Sequence, residues 1–371
     1  MSVHSSIAPP MTTGTKPTRK RESGTAASEF TALAKEVRDA GLLRRRYGYY
    51  WTKFAGLLAA LGATVAVFVY LGDTWWQLIT AVVFTVVLAQ IAFLGHDAAH
   101  RQIFRSGKWN DWASLVLANL FVGMSYGWWQ SKHTRHHANP NKLGRDPDIE
   151  LPVLSVTEEA AEARVGRIPR WISGNQGLLF FPLLLLEGLE LHVSAFRRVF
   201  SKEPVKRRVW EISFLLVRHA VLLGLVFWVL SPGIAFAFLG VHLGLFGLYL
   251  GMSFAPNHKG MPMIPRDAKL DFMHRQVLTS RNIRGGRFVD TAMGGLNYQI
   301  EHHLFPSMPR PHLREAARMI SEYCRKHDVP YTETGLVESY VIIVKYLNRV
   351  GLGERDIWTC PLVAQQRYIT S

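Results

Sequence analysis

The chain has 371 residues, of which 48% are hydrophobic, yet its formal net charge is +15. Apolar and basic residues must therefore occupy different regions, which favours a membrane protein with basic loops over a soluble globular protein. The basic residues are spread over many segments and no DNA-binding motif is evident, so we do not expect nucleic acid as a partner. Two cysteines, Cys324 and Cys360, are too few for a disulfide framework or an iron–sulfur cluster.

The two ends of the chain differ from its middle. Residues 1–30 are rich in Ser, Thr, Pro, Gly, Lys and Arg, which predicts a disordered basic tail. Residues 31–53 are expected to form a cytoplasmic lead-in helix. A membrane domain is then predicted over residues 54–350, followed by a C-terminal tail over residues 351–371.

Four apolar runs in this domain predict transmembrane helices. A helix needs about 20 apolar residues to cross a hydrocarbon core about 30 Å thick, and each run approaches that length. Short turns join the runs into two hairpins, one through Trp75 and Trp76 and the other through Ser231-Pro232-Gly233. The predicted spans lie at about residues 54–71, 78–100, 212–230 and 234–256.

Three histidine clusters lie at the end of the second predicted span, between the second and third spans, and after the fourth span. Two histidines three or four residues apart project from one face of a helix, so each cluster can bind a metal ion from one side. One ion accepts only about four to six ligands, and the clusters supply seven histidines and one glutamine, which is about right for two ions. The clusters are HDAAH (His96, His100), HTRHH (His133, His136, His137) and QIEHH (Gln299, His302, His303).

Two shorter apolar segments, Trp112 to Trp128 and Leu178 to Leu191, also have span-like hydropathy. A shared metal site requires all three clusters on one membrane face, and an odd number of extra crossings would separate them. Leu178 to Leu191 is short and contains Pro182 and Glu187, which is typical of a helix lying in the interface. The fold predicted is all-α, with four transmembrane helices in two hairpins, two interfacial helices and a helical cap that carries the metal site.

The orientation follows from the basic residues, because loops rich in Lys and Arg are retained in the cytoplasm. Both hairpin turns lack Lys and Arg, whereas the N-terminal segment and the segments with the clusters are basic. We therefore expect a multi-pass protein of the cell membrane with both termini and the site in the cytoplasm. Anionic lipid headgroups and phosphate-bearing substrates are the expected partners.

The clusters and their flanking residues resemble a known family. The flanking segments are GGLNYQIEHHLFP at Gly294 to Pro306 and HHANPNKLGRDPDIE at His136 to Glu150. They are similar to the membrane fatty acid desaturases, specifically the front-end group that includes acyl-lipid and acyl-CoA enzymes of the delta-5 and delta-6 type. Glutamine in place of the first histidine of the third cluster is characteristic of that group. Many eukaryotic members carry a fused cytochrome b5 domain with an HPGG haem motif, and this sequence has no such motif.

The resemblance implies an O2-dependent reaction at a non-haem di-iron centre, which forms a cis double bond in a CoA-linked or lipid-linked acyl chain. An unactivated methylene has no acidic proton, so redox chemistry of this kind is needed. The resemblance also implies a separate electron donor, such as ferredoxin, cytochrome b5 or a flavin reductase. An extra histidine after the second hairpin is usual in the family, and His258 is the matching residue.

The expected metal ligands are thus nine residues: His96, His100, His133, His136, His137, His258, Gln299, His302 and His303. Metal-bound imidazoles normally donate their second ring N–H to a carboxylate or carbonyl group. Candidates for this supporting role are Asp97, Asp146, Asp148, Asn257 and Glu301. Two rival functions use similar residues: a di-iron membrane lipid hydroxylase, and a membrane protein that binds metal without catalysis.

Overall fold

A computed structural model describes residues 23–151 and 153–352. Most of the tail predicted over residues 1–30 and nearly all of the tail predicted over residues 351–371 lie outside the described residues. The described chain is mostly helical, as predicted, with two short strands. Its α-helices are α1 Ser23–Asp39, α2 Tyr47–Leu71, α3 Gln77–Ala99, α4 Gly107–Leu115, α5 Tyr126–Ala138, α6 Glu158–Glu162, α7 Arg167–Gly174, α8 Gln176–Phe200, α9 Arg208–Val229, α10 Pro232–His258, α11 Phe272–Leu278, α12 Gly286–Ala292, α13 Gln299–Leu304, α14 Leu313–Lys326 and α15 Leu336–Leu352.

Three shorter elements complete the described fold. The π-helix Val116–Val122 follows α4, and the 3-10 turn Arg310–His312 precedes α14. The strands β1 Asn282–Arg284 and β2 Glu333–Gly335 pair in parallel, with Asn282 opposite Glu333. This small sheet joins the segment before the third histidine cluster to the start of α15.

Five of the described helices, α2, α3, α8, α9 and α10, are long and apolar enough to cross a membrane. Helix α3 lies at the centre, with 61% of its most apolar window buried, whereas the corresponding value for α2 is 11% and for α9 is 17%. The outer surfaces of α2 and α9 expose large apolar side chains such as Tyr70 and Trp228. Exposed apolar surface of this extent is what lipid contact requires.

The turns of the two hairpins meet at one end of the bundle. The backbone N–H and the hydroxyl of Ser231, between α9 and α10, both donate to the carboxylate of Asp73, between α2 and α3, at 2.8 and 3.0 Å. The opposite ends of α3 and α10 carry His96 and His258. The bundle therefore has a turn end and a histidine end.

The two additional apolar segments differ from each other. The segment from Trp112 to Trp128 forms no continuous helix, because α4 passes into the π-helix, which ends at Gly123 with a left-handed φ of 92°. The segment predicted as a short helix at Leu178 to Leu191 is part of α8, which has 25 residues. The helix continues because Ala195 and Val199 extend the buried face by one turn each.

Close backbone contact fixes α8 against α10. A Cβ atom on Gly188 would lie 2.2 Å from the carbonyl oxygen of Leu243, and one on Gly247 would lie 2.3 Å from the backbone nitrogen of Gly188. Only glycine at both positions permits this crossing, which is the usual way in which membrane helices approach closely.

The cap covers the histidine end of the bundle. Its apolar core joins α1, α11, α13 and α14, and Cys324 is a buried, free thiol within it. Members of this core include Leu33, Val37, Met273, Val277, Ile300, Leu304, Leu313 and Ile320. The cap therefore holds the third histidine cluster against the helices that carry the first two.

Candidate metal centre

The first cluster lies at the histidine end of α3. His96 is in the last turn of the helix, and His100 follows as its C-terminal cap residue. Their ring centroids are 4.6 Å apart, because residues i and i+4 share a helix face. The sequence spacing thus places both imidazoles on the side of α3 that faces the cap.

The second cluster lies on α5, whose start is fixed by polar contacts. The hydroxyl of Ser125 accepts a hydrogen bond from the backbone N–H of Trp128 at 3.1 Å, which caps the helix. The carboxylate of Glu211 on α9 accepts from the N–H of Gly127 at 3.0 Å and from the Ser125 hydroxyl at 2.5 Å. An anion at this helix end is favourable, since the first N–H groups are otherwise unpaired.

The third cluster lies on α13, a short helix whose residues are all buried. The loop before it contacts α3 closely: a Cβ atom on Gly294 would lie 2.4 Å from the Phe93 ring, and the φ of Gly294 is 61°. Glycine at this position lets the loop turn sharply and bring His302 and His303 to the histidine end of α3 and α10.

The histidines converge as two adjacent groups. In the first, ligand nitrogens of His96, His100, His133 and His302 all lie within 4.8 Å of one another, and in the second the same holds for His136, His258 and His303. His137 lies between His133 and His302, with its Nε2 atom 3.0 and 3.1 Å from theirs. Residues from four separate segments thus meet in two sets of imidazoles.

Each ring of the second group has its Nδ1 atom held by an acceptor outside the group. The Nδ1 of His136 lies 3.0 Å from both carboxylate oxygens of Asp146. The Nδ1 of His258 lies 2.9 Å from the carbonyl oxygen of Thr279, and that of His303 lies 2.8 Å from Oε1 of Gln276. The second nitrogen, Nε2, is therefore the one that faces the interior of the group.

The donor set fits metal ions. Neighbouring Nε2 atoms lie between 2.7 Å (His100 to His133) and 3.3 Å (His136 to His258) apart. Two nitrogens that share one ion at about 2.1 Å and subtend roughly 90° lie about 3 Å apart. The Nε2 atoms of His96 and His303 are buried and have no hydrogen-bond partner, which is costly unless they have another function.

The protonation of the rings is also suitable, because metal binding requires neutral imidazole. Burial, reinforced by the neighbouring rings, lowers the pKa of His100, His133, His137, His302 and His303 well below the ordinary value. His136 is the exception: burial lowers its pKa, but Asp148 and Asp146 outweigh that effect and raise it. A metal ion bound to Nε2 of His136 would take the place of a proton on that atom.

The segment after the second cluster supplies the carboxylates nearest the histidines. Asp146 is fully buried and accepts from the backbone N–H groups of Asn141 and Asp148 as well as facing His136. Asp148 forms an ion pair with Lys132 at 2.9 Å and lies 3.3 Å from Nδ1 of His136. Although burial opposes it, Lys132 and His136 lower the pKa of Asp148. Both aspartates were expected near the ligands, and they lie there.

Asp97 and Glu301 are placed differently from our expectation. Asp97 forms a buried ion pair with Arg310 at 2.7 Å, and its other oxygen is 3.8 Å from Nδ1 of His96, which is too long for a hydrogen bond. Glu301 accepts from Asn282 and Tyr331, each at 2.7 Å. It points away from the histidines because it is on the opposite face of α13 from His302 and His303.

Gln299 and Asn257 form a pair beside the second group. The Nε2 atom of Gln299 lies 2.9 Å from Nε2 of His258, and its Oε1 atom accepts from Asn257 at 3.3 Å. This arrangement places the Gln299 amide beside the second group, and ligation of a metal through its oxygen stays a prediction. It leaves Gln299 able to contact a water molecule or another group at the site.

Two supporting residues were missed by our sequence reasoning. Gln276 on α11 and the backbone of Thr279 hold His303 and His258. Both belong to a segment that contains no histidine cluster, and a single glutamine in a short helix gives no periodic or spacing signal. Their proximity depends on the fold of the cap.

Comparison with known proteins agrees with the geometry. A family model described as fatty acid desaturase matches residues 73–335. The Delta(8)-fatty-acid desaturase of Helianthus annuus is 28% identical over 353 residues, covering 89% of this chain and 74% of the relative. The Delta(5) fatty acid desaturase fat-4 of Caenorhabditis elegans is 30% identical over 330 residues, covering 86% of this chain and 72% of the relative. The Delta(6)-fatty-acid desaturase fat-3 of the same organism is 26% identical over 333 residues, covering 86% of this chain and 74% of the relative.

The fold and the site thus define a membrane oxidoreductase with histidine groups that could hold a metal ion. The chain belongs to the fatty acid desaturase family. The resemblance inferred from the histidine clusters, including that to front-end enzymes, is confirmed, and the activity is that of a fatty acyl desaturase.

Proposed function

We propose that this desaturase forms a cis double bond at a di-iron centre, with O2 as the oxidant and a separate protein as the electron donor. The single observation that carries the proposal is the convergence of eight buried or partly buried imidazoles in two adjacent groups. His96, His100, His133 and His302 would hold one iron, and His136, His258 and His303 would hold the other. His137 lies between His133 and His302 and would complete the set.

Bound iron would supply, with O2, the redox chemistry that removes two hydrogens from adjacent unactivated methylenes. The protein's own contribution is to orient the ligands and exclude water. Asp146 and the Thr279 carbonyl fix two rings of the second group. On the other side, Trp129 stacks on His133 with ring centroids 4.3 Å apart. The Trp129 ring would shield His133 from water on that side of the site.

For the membrane topology, we propose that α2, α3, α9 and α10 span the bilayer and that α8 has both of its ends on the histidine side, with its middle packed against α10. At the start of α8, the amide of Gln176 donates to the carbonyl groups of Ser155 and Leu347, each at 2.8 Å. At its other end, Arg208, the first residue of α9, donates to the carbonyl of Val199 at 3.0 Å. Because α9 ends at the turn that contacts Asp73, its first residue is at the histidine end. Both ends of α8 are therefore held on the same side, which supports four crossings.

The proposed orientation places the histidine end and the cap in the cytoplasm. Neither hairpin turn contains Lys or Arg, whereas the cap and the lead-in segment carry many. Electrons would then come from ferredoxin, cytochrome b5 or a flavin reductase on that side. The acyl substrate would be presented by CoA or by a membrane lipid.

The activity can be tested by expressing the full chain in a host that supplies electron donors and analysing the fatty acids by mass spectrometry. We expect a new unsaturated fatty acid with wild type and none with His303→Ala. Absence of any new double bond with wild type, or equal product from the variant, would contradict the proposal. A hydroxylated product would instead identify a lipid hydroxylase.

Metal analysis of the purified protein tests the di-iron centre separately. On this proposal the wild-type chain retains about two iron ions. Zinc in their place would be incompatible, because zinc has no redox chemistry.

A further inference from the structure

Gln276 is a buried polar residue in an otherwise apolar position of the cap. It lies on α11 between Met273 and Val277, which are both buried in the cap core. Its own exposed fraction is 0%. A methionine or leucine would fill such a position without the need for hydrogen bonds, so the amide must be satisfied by specific partners.

Both ends of the amide have such partners. The Nε2 atom of Gln276 donates to the backbone carbonyl of His137 at 2.9 Å, and Oε1 lies 2.8 Å from Nδ1 of His303. These partners belong to the second and third histidine clusters, on α5 and α13. Gln276 thus joins two clusters, although α11 itself carries none of the expected ligands.

The chemistry of these contacts fixes the orientation of the amide. A backbone carbonyl only accepts hydrogen bonds, so the NH2 group of Gln276 must face His137. The oxygen therefore faces His303, and Nδ1 of that ring must carry the proton. The lone pair of His303 is then on Nε2, which is buried without a hydrogen-bond partner in the group formed with His136 and His258.

We propose that Gln276 is a positioning residue of the metal centre, which fixes the tautomer and direction of the His303 ring and ties that ring to the backbone of α5. The inference rests on the proposed function, since it takes the second histidine group to hold an iron ion. It concerns a residue outside all three histidine clusters. Partners of this kind typically affect metal affinity by about 10- to 100-fold.

The test compares three variants of the full chain, purified and dialysed against an iron chelator. Gln276→Met keeps the length of the side chain but removes the acceptor for His303, so we expect weaker binding of one of the two ions, by about 10- to 100-fold. Gln276→Glu keeps an acceptor for His303 and is expected to retain both ions under the same dialysis. Iron per chain and the Mössbauer spectrum of the 57Fe-loaded protein are the readouts.

Gln176→Met is the matched control. Gln176 is also a fully buried glutamine, and its amide bonds to Ser155 and Leu347, away from the histidines. Loss of these hydrogen bonds should lower thermal stability without release of iron. A difference between the two methionine variants therefore separates ligand positioning from general packing.

Several results would overturn the inference while leaving the proposed function intact. These are equal iron retention by Gln276→Met and wild type, or loss of iron from Gln276→Glu as great as that from Gln276→Met. If Gln276→Met does not fold, Gln276→Glu alone tests the inference. Its charged acceptor makes His303 a more basic ligand, which must change the Mössbauer signal of one iron. An unchanged spectrum then contradicts the inference, whereas a wild-type protein without iron contradicts the proposed function itself.

Discussion

At the scale of single residues, the histidines are supported by acceptors that differ in chemical type. A carboxylate holds His136, a backbone carbonyl holds His258 and an amide holds His303. A carboxylate increases the basicity of the ring more than a neutral acceptor does. The three ligands of one proposed iron site are therefore electronically unequal, even though all are imidazoles.

Asp146→Ala is expected to weaken iron binding, although Asp146 is not one of the proposed ligands. It removes the acceptor for His136 and also frees the buried N–H groups of Asn141 and Asp148. We expect a loss of iron affinity of about 10- to 100-fold, together with a stability loss of about 1–3 kcal/mol. Iron content after dialysis and thermal unfolding in detergent measure the two effects.

The exposed Asp267, on the loop before α11, provides the control for this prediction. Asp267→Ala removes the same chemical group without changing a hydrogen bond to a histidine, so iron content should stay at the wild-type level. Asp146→Asn retains an oxygen acceptor and should lie between the two. Full iron retention by Asp146→Ala would show that the carboxylate does not orient His136.

The convergence of the clustered histidines could be predicted from sequence because their i, i+3 and i+4 spacing is set by helix geometry, and that of His258 because of the family pattern. The partners of those histidines were predicted less well. Asp146 lies only ten residues after His136, in the loop that follows α5, whereas Gln276 reaches His303 only through the packing of α11 on α13. Glu301, adjacent to His302, faces the other way. Proximity in sequence is thus a poor guide to which side of a short helix a residue occupies.

At the scale of elements, the Asp97–Arg310 ion pair links α3 to the segment after the third cluster. Both side chains are buried, and Arg310 also donates to the carbonyl of Phe93 at 2.9 Å. The backbone N–H of Arg310 donates to the hydroxyl of Tyr50 at 3.2 Å. These contacts hold the cap on the first hairpin independently of any metal.

Arg310→Met should therefore destabilise the protein strongly. It leaves the carboxylate of Asp97 buried without its partner, for which the expected cost is about 3–5 kcal/mol. Thermal unfolding of the purified protein measures it. The double variant Asp97→Leu/Arg310→Met removes both charges and should recover much of the loss; equal instability of the single and double variants would assign the effect to packing alone.

The crossing of α8 and α10 makes a second prediction at this scale. In Gly188→Ala, the added methyl group would overlap the carbonyl of Leu243, and we expect a stability loss of about 1–3 kcal/mol. Gly224→Ala is the matched control, because a Cβ atom there meets nothing within 4 Å. Alanine favours helix over glycine by up to about 1 kcal/mol, so this control should be neutral or slightly stabilising. Similar melting temperatures for the two variants would contradict the close contact.

At the two hairpin turns the ends of the helices lie close to the ends of the apolar runs, at Gly72 and at Ser231. The apolar run at Leu178 to Leu191 is shorter than α8, which contains Pro182, Glu187 and Glu190. The proline lies near the start of the helix and both glutamates are at least partly exposed, so none of them interrupts it. The contacts that favour α8 lie on α10, more than 50 residues further along the chain.

At the scale of the whole molecule, the topology predicts which surfaces are accessible from each side of the membrane. Single cysteines can be introduced at Gly233 in the second hairpin turn, Lys202 after α8 and Arg318 on α14, all of which are exposed. With Cys360→Ser as the background, we expect a membrane-impermeant thiol reagent applied to intact cells to label only Gly233→Cys. Labelling of Lys202→Cys in place of Gly233→Cys would mean that α8 crosses the bilayer, because the spanning helix α9 lies between the two positions.

The two ends of the helix bundle are held together in different ways. At the turn end, the contact between Ser231 and Asp73 joins the two hairpins. At the other end, the proposed iron ions would bind α3, α5, α10 and α13 to one another. Iron in this position acts as a cross-link between residues as distant in sequence as His96 and His303. Cys324, by contrast, is a free, buried thiol and forms no cross-link. Iron supply would then limit not only the activity of the enzyme but also its folded lifetime in the membrane, because binding free energy at such a site is also folding free energy.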